Sequence, residues 1–595
     1  MAQANNKLKT LPIGISNWSQ LRKRDMFFVD KTDKLRSLVV AKNKIFLSRP
    51  RRMGKSMLCS MLEDLFNNGV GNFKGTAIYE QWPEKPGAYP VIRLTFVDVA
   101  GDTKRAFEQS LIGALVDAYG NAGFHEVKQY EKEYKTLDRF LKALKPISRN
   151  NELVFIIDEW DHPLSSNLGE KAKYNIALSA LKCFYSWLRS IDSFRFILVT
   201  GIMRYSSASL FTGQDIRDIS MDPDYASLVG YTHEELVTCY APYIKEAARV
   251  LGLSEAELIA ELQAYYDGFC FDEKAEVKLY SPWDINQFFD RVTPGAESDY
   301  HPEFKAFWMN SSNAAQALKE FLSHRPTDLE ALCQLKYEGT DLTTDDLATP
   351  VNFDEVTASQ LLVESGYLTI KSIVSGAQSN NKTYHCGLPN LEVLEEFDLV
   401  LMRFIGAKSK KSVNEVSALK AAIKTALLQG DIKAVCARIN ELLSGILSDT
   451  FRFPHEPLYR TLIAGWFRDI ADEVREETPN YQGRSDIELK IGDKFYVFEL
   501  KLIHNITEND RKRSLKDRYG LLKAATKQII AKGYAVNHHT AGKPVIGVAL
   551  VISNMRRCIA AWHKFDATGS SCGRIHTVNL FTKFLEESGL AGSSK

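Results

Sequence analysis

From the start of the chain to about residue 230, short apolar runs alternate with segments whose apolar residues recur at helical spacing. The runs are Lys44–Ser48, Val91–Phe96, Leu153–Ile157 and Phe194–Thr200. Each is continuous and rich in β-branched or aromatic residues, which predicts strands covered on both faces. After Ser56, the residues Met57, Leu58, Met61, Leu62, Leu65 and Phe66 predict a helix laying one face on a sheet. Strand, tight loop and helix in this order predict a doubly wound α/β fold.

From 231 to 450 the pattern is mainly helical. Thr232 with Glu235 reads as a capped helix start. Asn414–Leu428 and Ile432–Leu447 read as a helical pair broken near Gly430, and Tyr367–Ile370 as part of a small sheet. From 451 onward, Ile487–Ile491 and Phe495–Leu502 read as strands of a hairpin turning at Gly492-Asp493. A helix over about Arg513–Lys532 and an apolar strand Val545–Ile552 follow, and residues 591–595 read as a frayed end.

The 595 residues exceed what one core can hold, so several domains are expected, with boundaries near 230 and 450. At 45% hydrophobic and 25% charged residues the composition is that of a soluble globular protein. No run approaches the ~18 apolar residues of a membrane span. The first residues, Met-Ala-Gln-Ala-Asn-Asn-Lys, have no apolar core to serve as a signal peptide, so a cytoplasmic location is expected. Nine cysteines without a Cys-x-x-Cys pair argue against a zinc module and a disulfide framework, and for reduced thiols. A net charge of +1 makes no global case for nucleic acid. The local run Arg511-Lys-Arg513 with Lys516 and Arg518 reads on charge alone as a solvated helix face.

Two constellations carry chemistry. The first is Arg49-Pro-Arg-Arg-Met-Gly-Lys-Ser56, set between a predicted strand and a predicted helix. A phosphate-binding loop needs inward N–H groups, a lysine reaching the β and γ phosphates, and a hydroxyl on Mg²⁺. Gly54, Lys55 and Ser56 supply the end of that pattern and Arg52 lies within the loop, but Arg49 stands where its first glycine would be. The partner element is Val154–Ile157 followed by Asp158-Glu159. An acid at a strand end can hold the metal's water shell, and a neighbouring carboxylate can orient attacking water. Thr200 is a candidate sensor of the γ-phosphate and Arg204 a candidate charge-stabilising residue.

The second constellation is Gly483-Arg-Ser-Asp486 with Glu499-Leu-Lys501. Metal-assisted phosphodiester cleavage needs carboxylates to fix the ion and a lysine to position water. A spacing of two puts Glu499 and Lys501 on one face of their strand, while Leu500 points away and keeps its carbonyl for a metal. Charges beside the apolar run Phe495–Phe498 are costly to bury without a purpose. Gln528 on the following helix is a further candidate, and Glu456, Glu476 or Glu477 would complete the acidic set.

With these motifs the chain resembles the bacterial and archaeal proteins that join an AAA-ATPase-like domain to a C-terminal PD-(D/E)XK nuclease domain. The resemblance also rests on Leu11–Ser16, Phe28–Thr32, Ile157–Pro163, Thr200-Gly201 and Asp218–Asp222. Further pieces are Tyr225–Thr232, Tyr266–Phe269, Tyr280–Trp283 and Leu388–Asn390. It implies a P-loop domain at 1–230, a helical region at 231–450 and a restriction-endonuclease-like α/β domain at 451–595. It implies that arginine is the family's own residue at position 49, and that no core nuclease position is lost. Lys55, Ser56, Asp158 and Glu159 would be the nucleotide and magnesium residues, and Asp486, Glu499 and Lys501 the nuclease residues. The cofactors expected are ATP and Mg²⁺, with Mn²⁺ an alternative at the nuclease site; the partner expected is nucleic acid, DNA before RNA. Self-assembly stays open. The leading expectation is a nucleotide-regulated, metal-dependent nuclease. The alternative is an ATP-binding switch whose nuclease-like domain binds nucleic acid or a protein without cutting. Tyr266–Phe269 and Ser281–Trp283 read chiefly as turns.

Overall fold

The four apolar runs form strands β1 (Lys44–Ser48), β2 (Val91–Thr95), β3 (Leu153–Asp158) and β4 (Phe194–Gly201) in a computed structural model of the chain. With β5 (Arg217–Asp218) they make a parallel sheet in the order β2-β3-β4-β1-β5. The structure describes residues 8–41, 44–191, 193–204, 216–292, 302–307, 329–348, 352–375, 382–407, 409–446, 456–480, 483–503, 511–532, 545–554, 556–567 and 575–577. Every residue of β3 is buried, as a strand covered on both faces requires. The helix Lys55–Asn68 follows β1 directly and lays Leu58, Met61, Leu62, Leu65 and Phe66 against this core.

The chain divides into two compact units, Met1–Pro326 with Glu338–Phe397, and Thr327–Tyr337 with Asp398–Lys595. The first holds the parallel sheet and a helical layer. There Thr232 and Glu235 form the expected capping box: Glu235 N–H donates to Thr232 Oγ1 at 3.2 Å and Thr232 N–H to Glu235 Oε2 at 2.8 Å. Helices His233–Cys239, Ala241–Leu251, Glu255–Tyr266 and Pro282–Asp290 enclose an aromatic-rich core with Tyr240, Tyr266, Tyr280 and Phe288. The short strands β6 (Phe269–Cys270) and β7 (Lys278–Leu279) pair as a hairpin within this layer. The small sheet expected near Tyr367 is three-stranded and antiparallel, β8 (Thr340–Thr343), β10 (Thr383–Gly387) and β9 (Thr369–Ser375) in spatial order.

The second unit is built on a six-stranded mixed sheet ordered β11-β12-β13-β14-β15-β16. The strands are β11 (Glu473–Asn480), β12 (Gly483–Ile491), β13 (Lys494–Ile503), β14 (Val545–Ser553), β15 (Cys558–Asp566) and β16 (Ile575–Thr577). β12 and β13 are the expected antiparallel hairpin, turning at Gly492 with φ +58°. β13 and β14 run parallel and therefore need a crossover, which the helix Arg511–Ala531 supplies. That helix packs Leu522, Ala525 and Ile529 on Val497, Ala549 and Val551. Arg518 is buried, so the reading of this basic run as a solvated face fails at that residue; the side chains of Arg511, Arg513 and Lys516 lie outside the described residues. So do residues 591–595. Helices Val413–Gln429 and Ile432–Ser444 form the expected pair, separated by Gly430 in the left-handed region at φ +75°. Among the described residues all eight cysteines are free thiols, and no helix is long and apolar enough to cross a membrane.

Candidate functional sites

The phosphate-loop candidate lies between β1 and the helix Lys55–Asn68. Two residues of the loop adopt left-handed backbone, Arg52 at φ +69° and Gly54 at φ +100°. They provide the turn that the missing first glycine does not. Arg49 does different work: its buried guanidinium donates to Ser48 O at 2.9 Å and Ser220 O at 2.6 Å, and lies 4.7 Å from the Phe271 ring. Burial draws its pKa down to about 10. Arginine at this position thus ties the loop's entry to the segment after β5.

Lys55 is buried, and its Nζ donates to Arg49 O at 2.8 Å and Pro50 O at 2.9 Å. Burial lowers the Lys55 pKa, while Asp158, Glu159 and Asp161 work in the opposite direction. Lys55, half-buried Ser56 and Glu159 line a cavity of about 420 Å³, of the size that takes a small-molecule ligand. Its walls come from Leu11–Ser16, Phe28–Thr32, Tyr225–Thr232 and Tyr280–Trp283, so segments far apart in sequence share one chamber. Arg52 stacks with its guanidinium carbon 4.1 Å from the Trp283 ring centroid. Pro282 opens the helix Pro282–Asp290. Gly268 has φ +109°, and a Cβ added there would lie 2.5 Å from Pro389 O. Gly268 therefore does the turn work expected of Tyr266–Phe269, whereas Ser281–Trp283 caps and opens a helix and Trp283 adds a cavity wall.

Asp158 ends β3 with both oxygens engaged. Oδ2 pairs with Arg93 at 3.0 Å; Oδ1 accepts from the Thr200 hydroxyl at 3.0 Å and from Glu159 N–H at 3.1 Å. Glu159 has φ +49°, an uncommon backbone state for this residue type that turns its side chain into the cavity. Thr200 is fully buried and meets the site through Asp158. Arg204 is engaged by Asp218 at 2.6 Å, and its N–H donates to Glu364 Oε1 at 2.8 Å. Among the described residues, neither Thr200 nor Arg204 lines the cavity. The sequence reading missed Arg93. Its signal is a lone arginine inside the covered run Val91–Thr95.

In the second unit, pairing of β12 with β13 brings Asp486 beside Glu499 and Lys501. Asp486 Oδ2 accepts from Leu500 N–H at 2.6 Å, fixing the carboxylate on the neighbouring strand's backbone. Lys501 Nζ meets Glu499 Oε1 at 2.8 Å. Glu499 is fully buried, and its Oε2 has no hydrogen-bond partner among the described residues. Burial, then repulsion from Asp486, pushes the Glu499 carboxyl up to about 7. Burial works against the Lys501 ammonium, but Glu499 beside it holds its pKa above the usual range.

The three upstream acids part company. Glu476 belongs to a buried ion cluster: Lys336 Nζ lies 2.8 Å from Glu476 and 2.6 Å from Asp398, and Arg468 pairs with both acids. The Glu477 side chain lies outside the described residues. Glu456, on the helix Glu456–Arg468, pairs with Arg460 at 3.5 Å and adds its charge to the repulsion on Glu499. Gln528 is half-buried on the helix packed over β13 and β14. Among the described residues no three His, Cys, Asp or Glu side chains gather as a metal cage. Two carboxylates with a backbone carbonyl are nevertheless a donor set that suits Mg²⁺, which keeps several waters and takes substrate phosphates as ligands.

Residues 12–211 match the model of a family described as predicted AAA-ATPase, and residues 454–562 match that of the PD-(D/E)XK nuclease superfamily. The matched spans contain Lys55, Asp158, Asp486, Glu499 and Lys501. A protein of Azotobacter chroococcum mcd 1, designated "Uncharacterized protein in vnfD 5'region", is 25% identical over 564 residues, covering 93% of this chain and 98% of its own. Drosophila ORC bound to GC-rich DNA and Cdc6 aligns over 54% of this chain and 43% of its own at 11% identity, with a TM-score of 0.22, and carries no argument.

Proposed function

We propose that this chain, which joins an AAA-ATPase-like domain to a domain of the PD-(D/E)XK nuclease superfamily, is a nucleotide-regulated, metal-dependent nuclease. Its substrate would be nucleic acid, DNA before RNA. The observation that carries the reading is Glu499: a fully buried carboxylate with one oxygen unpartnered among the described residues, set beside Asp486 and Lys501. Burying an acid next to another acid is costly, and a divalent cation would offset that cost. Asp486, Glu499 and the Leu500 carbonyl would hold the ion, Mg²⁺ or Mn²⁺. The bound ion would neutralise charge at the phosphodiester and make a coordinated water more acidic. Lys501, held by Glu499 Oε1, would orient the attacking water.

At the other site, Lys55 would exchange its two loop carbonyls for the β and γ phosphates of ATP, and Ser56 would reach the accompanying Mg²⁺. Asp158, with Arg93 and Thr200 fixing its oxygens, would hold the ion's water shell, and Glu159 would orient water for hydrolysis.

The deciding experiment is cleavage of labelled single- and double-stranded DNA and RNA with Mg²⁺ or Mn²⁺, with and without ATP, in wild type and Lys501→Ala. Metal-dependent cutting that vanishes in the variant, with a rate that changes on adding ATP, is expected. Failure to cut any substrate under any condition would overturn the nuclease reading and leave the non-cleaving ATP switch.

A further inference from the structure

Among the described residues, Arg460 is a charged group at the nuclease-type site that its motif does not include. Arg460 lies one helical turn beyond Glu456 and is 6% exposed. Its guanidinium carbon sits 4.5 Å from the Tyr337 ring centroid, a cation–π distance. One terminal nitrogen is 3.5 Å from Glu456 Oε1, and Nε is 3.6 Å from Asp486 Oδ1. The second contact is a Coulombic pair longer than a hydrogen bond, close enough to attract and loose enough to exchange.

Asp486 divides its oxygens between two tasks. Oδ2 is committed to Leu500 N–H, which leaves Oδ1 as the oxygen turned toward Arg460. An ion that takes up Asp486 Oδ1 meets a guanidinium that already balances that oxygen's charge. The platform beneath the guanidinium is itself anchored, because the Tyr337 hydroxyl donates to Glu476 inside the buried ion cluster. Arg460 can therefore yield Asp486 and stay supported by the ring.

We infer that Arg460 is a positioning residue that acts as a built-in competitor of the divalent ion, balancing Asp486 and Glu456 until the ion displaces it from Asp486 Oδ1. This rests on the metal-dependent reading of the same site. It makes metal loading weaker than the acids alone would allow, so occupancy follows the ion concentration closely.

The test is Mn²⁺ binding to the full-length protein without nucleic acid, read by the paramagnetic resonance of free Mn²⁺ at pH 8. Wild type is compared with Arg460→Gln, Arg460→Lys and Asp486→Asn. Wild type binds, Asp486→Asn loses that binding, and Arg460→Gln binds about fivefold tighter or more. Arg460→Lys, whose ammonium lacks the planar face that stacks on Tyr337, falls between. Melting temperatures separate competition from a merely structural role: Mn²⁺ raises that of Arg460→Gln by more than that of wild type, whereas simple loss of packing lowers it equally with and without the ion. Unchanged or weaker Mn²⁺ binding by Arg460→Gln, with Asp486→Asn still defective, overturns the competitor role alone. Binding by Asp486→Asn equal to wild type overturns the metal site and the inference together. Should Arg460→Gln not fold, the lysine variant decides, and unchanged affinity there overturns the inference.

Discussion

Replacing Glu499 by Gln should stabilise the metal-free protein while destroying its proposed activity. The native carboxyl titrates near 7 against an ordinary 4.5, because it is buried and faces Asp486. That gap, at ~1.36 kcal/mol per pH unit, is worth about 3 kcal/mol. The sign follows from proton linkage. Native Glu499 keeps a proton that the unfolded chain has already released, so wild-type stability falls as pH rises from 4.5 toward about 7, and stays reduced above it. Glutamine matches the shape of the protonated acid, can still accept from Lys501, and does not titrate. The variant should therefore exceed wild type by about 2–3 kcal/mol at pH 8, and by almost nothing below pH 4.5. Urea unfolding in EDTA at the two pH values, followed by the fluorescence of Trp466 and Trp562 in this unit, reads the difference. Adding Mg²⁺ should raise wild type and leave the variant unmoved. A Gln variant less stable than wild type at pH 8 in EDTA would refute the claim that burial and Asp486 outweigh the Lys501 pairing at Glu499.

Three further outcomes are expected. Lys55→Ala should weaken ATP binding by at least about tenfold, through loss of a charge-assisted phosphate contact; titration with a fluorescent ATP analogue checks this, and unchanged affinity would sink the phosphate-loop assignment. Lys336→Met should cost about 3–5 kcal/mol, because it leaves Asp398 and Glu476 buried with Arg468 as their remaining strong cation. A urea midpoint within experimental error of wild type would show that the cluster is better solvated than its burial implies. Gly268→Ala should lower the melting temperature by several degrees, since a side chain there needs a strained φ and meets the Pro389 carbonyl; an unchanged melt would mean that the loop yields easily.

The central strands of the first sheet were legible in the sequence because a parallel strand covered on both faces must be apolar throughout. β1 begins and ends where its pattern does, and β2, β3 and β4 differ from theirs by a residue at one end. The β12–β13 hairpin was legible from its turn at Gly492-Asp493 and from the apolar runs on either side. β11 was not, because the sequence Glu473–Asn480 is charged and reads as surface. Glu476 is buried there only because Lys336 and Arg468 meet it from remote segments. Arg93 and Arg460 escaped for the same reason: each is a single basic residue in an apolar stretch, and its meaning lies in an acid elsewhere, Asp158 or Asp486. Arg49 was legible as a departure from the phosphate-loop pattern, but its purpose needed the Ser220 carbonyl.

The hydrogen bond from Leu500 N–H to Asp486 couples the chemistry to the order in which the chain is made. Asp486 is aimed only after β12 has paired with β13, and Glu499 is sheltered only after β14, supplied by residues 545–553, has paired with β13 on its other side. A ribosome-bound chain that has emerged as far as Lys501 thus carries all three motif residues and no assembled site. On the proposed nuclease reading, the site would in this way stay unassembled through most of synthesis, waiting on the late arrival of a strand that bears none of its motif residues.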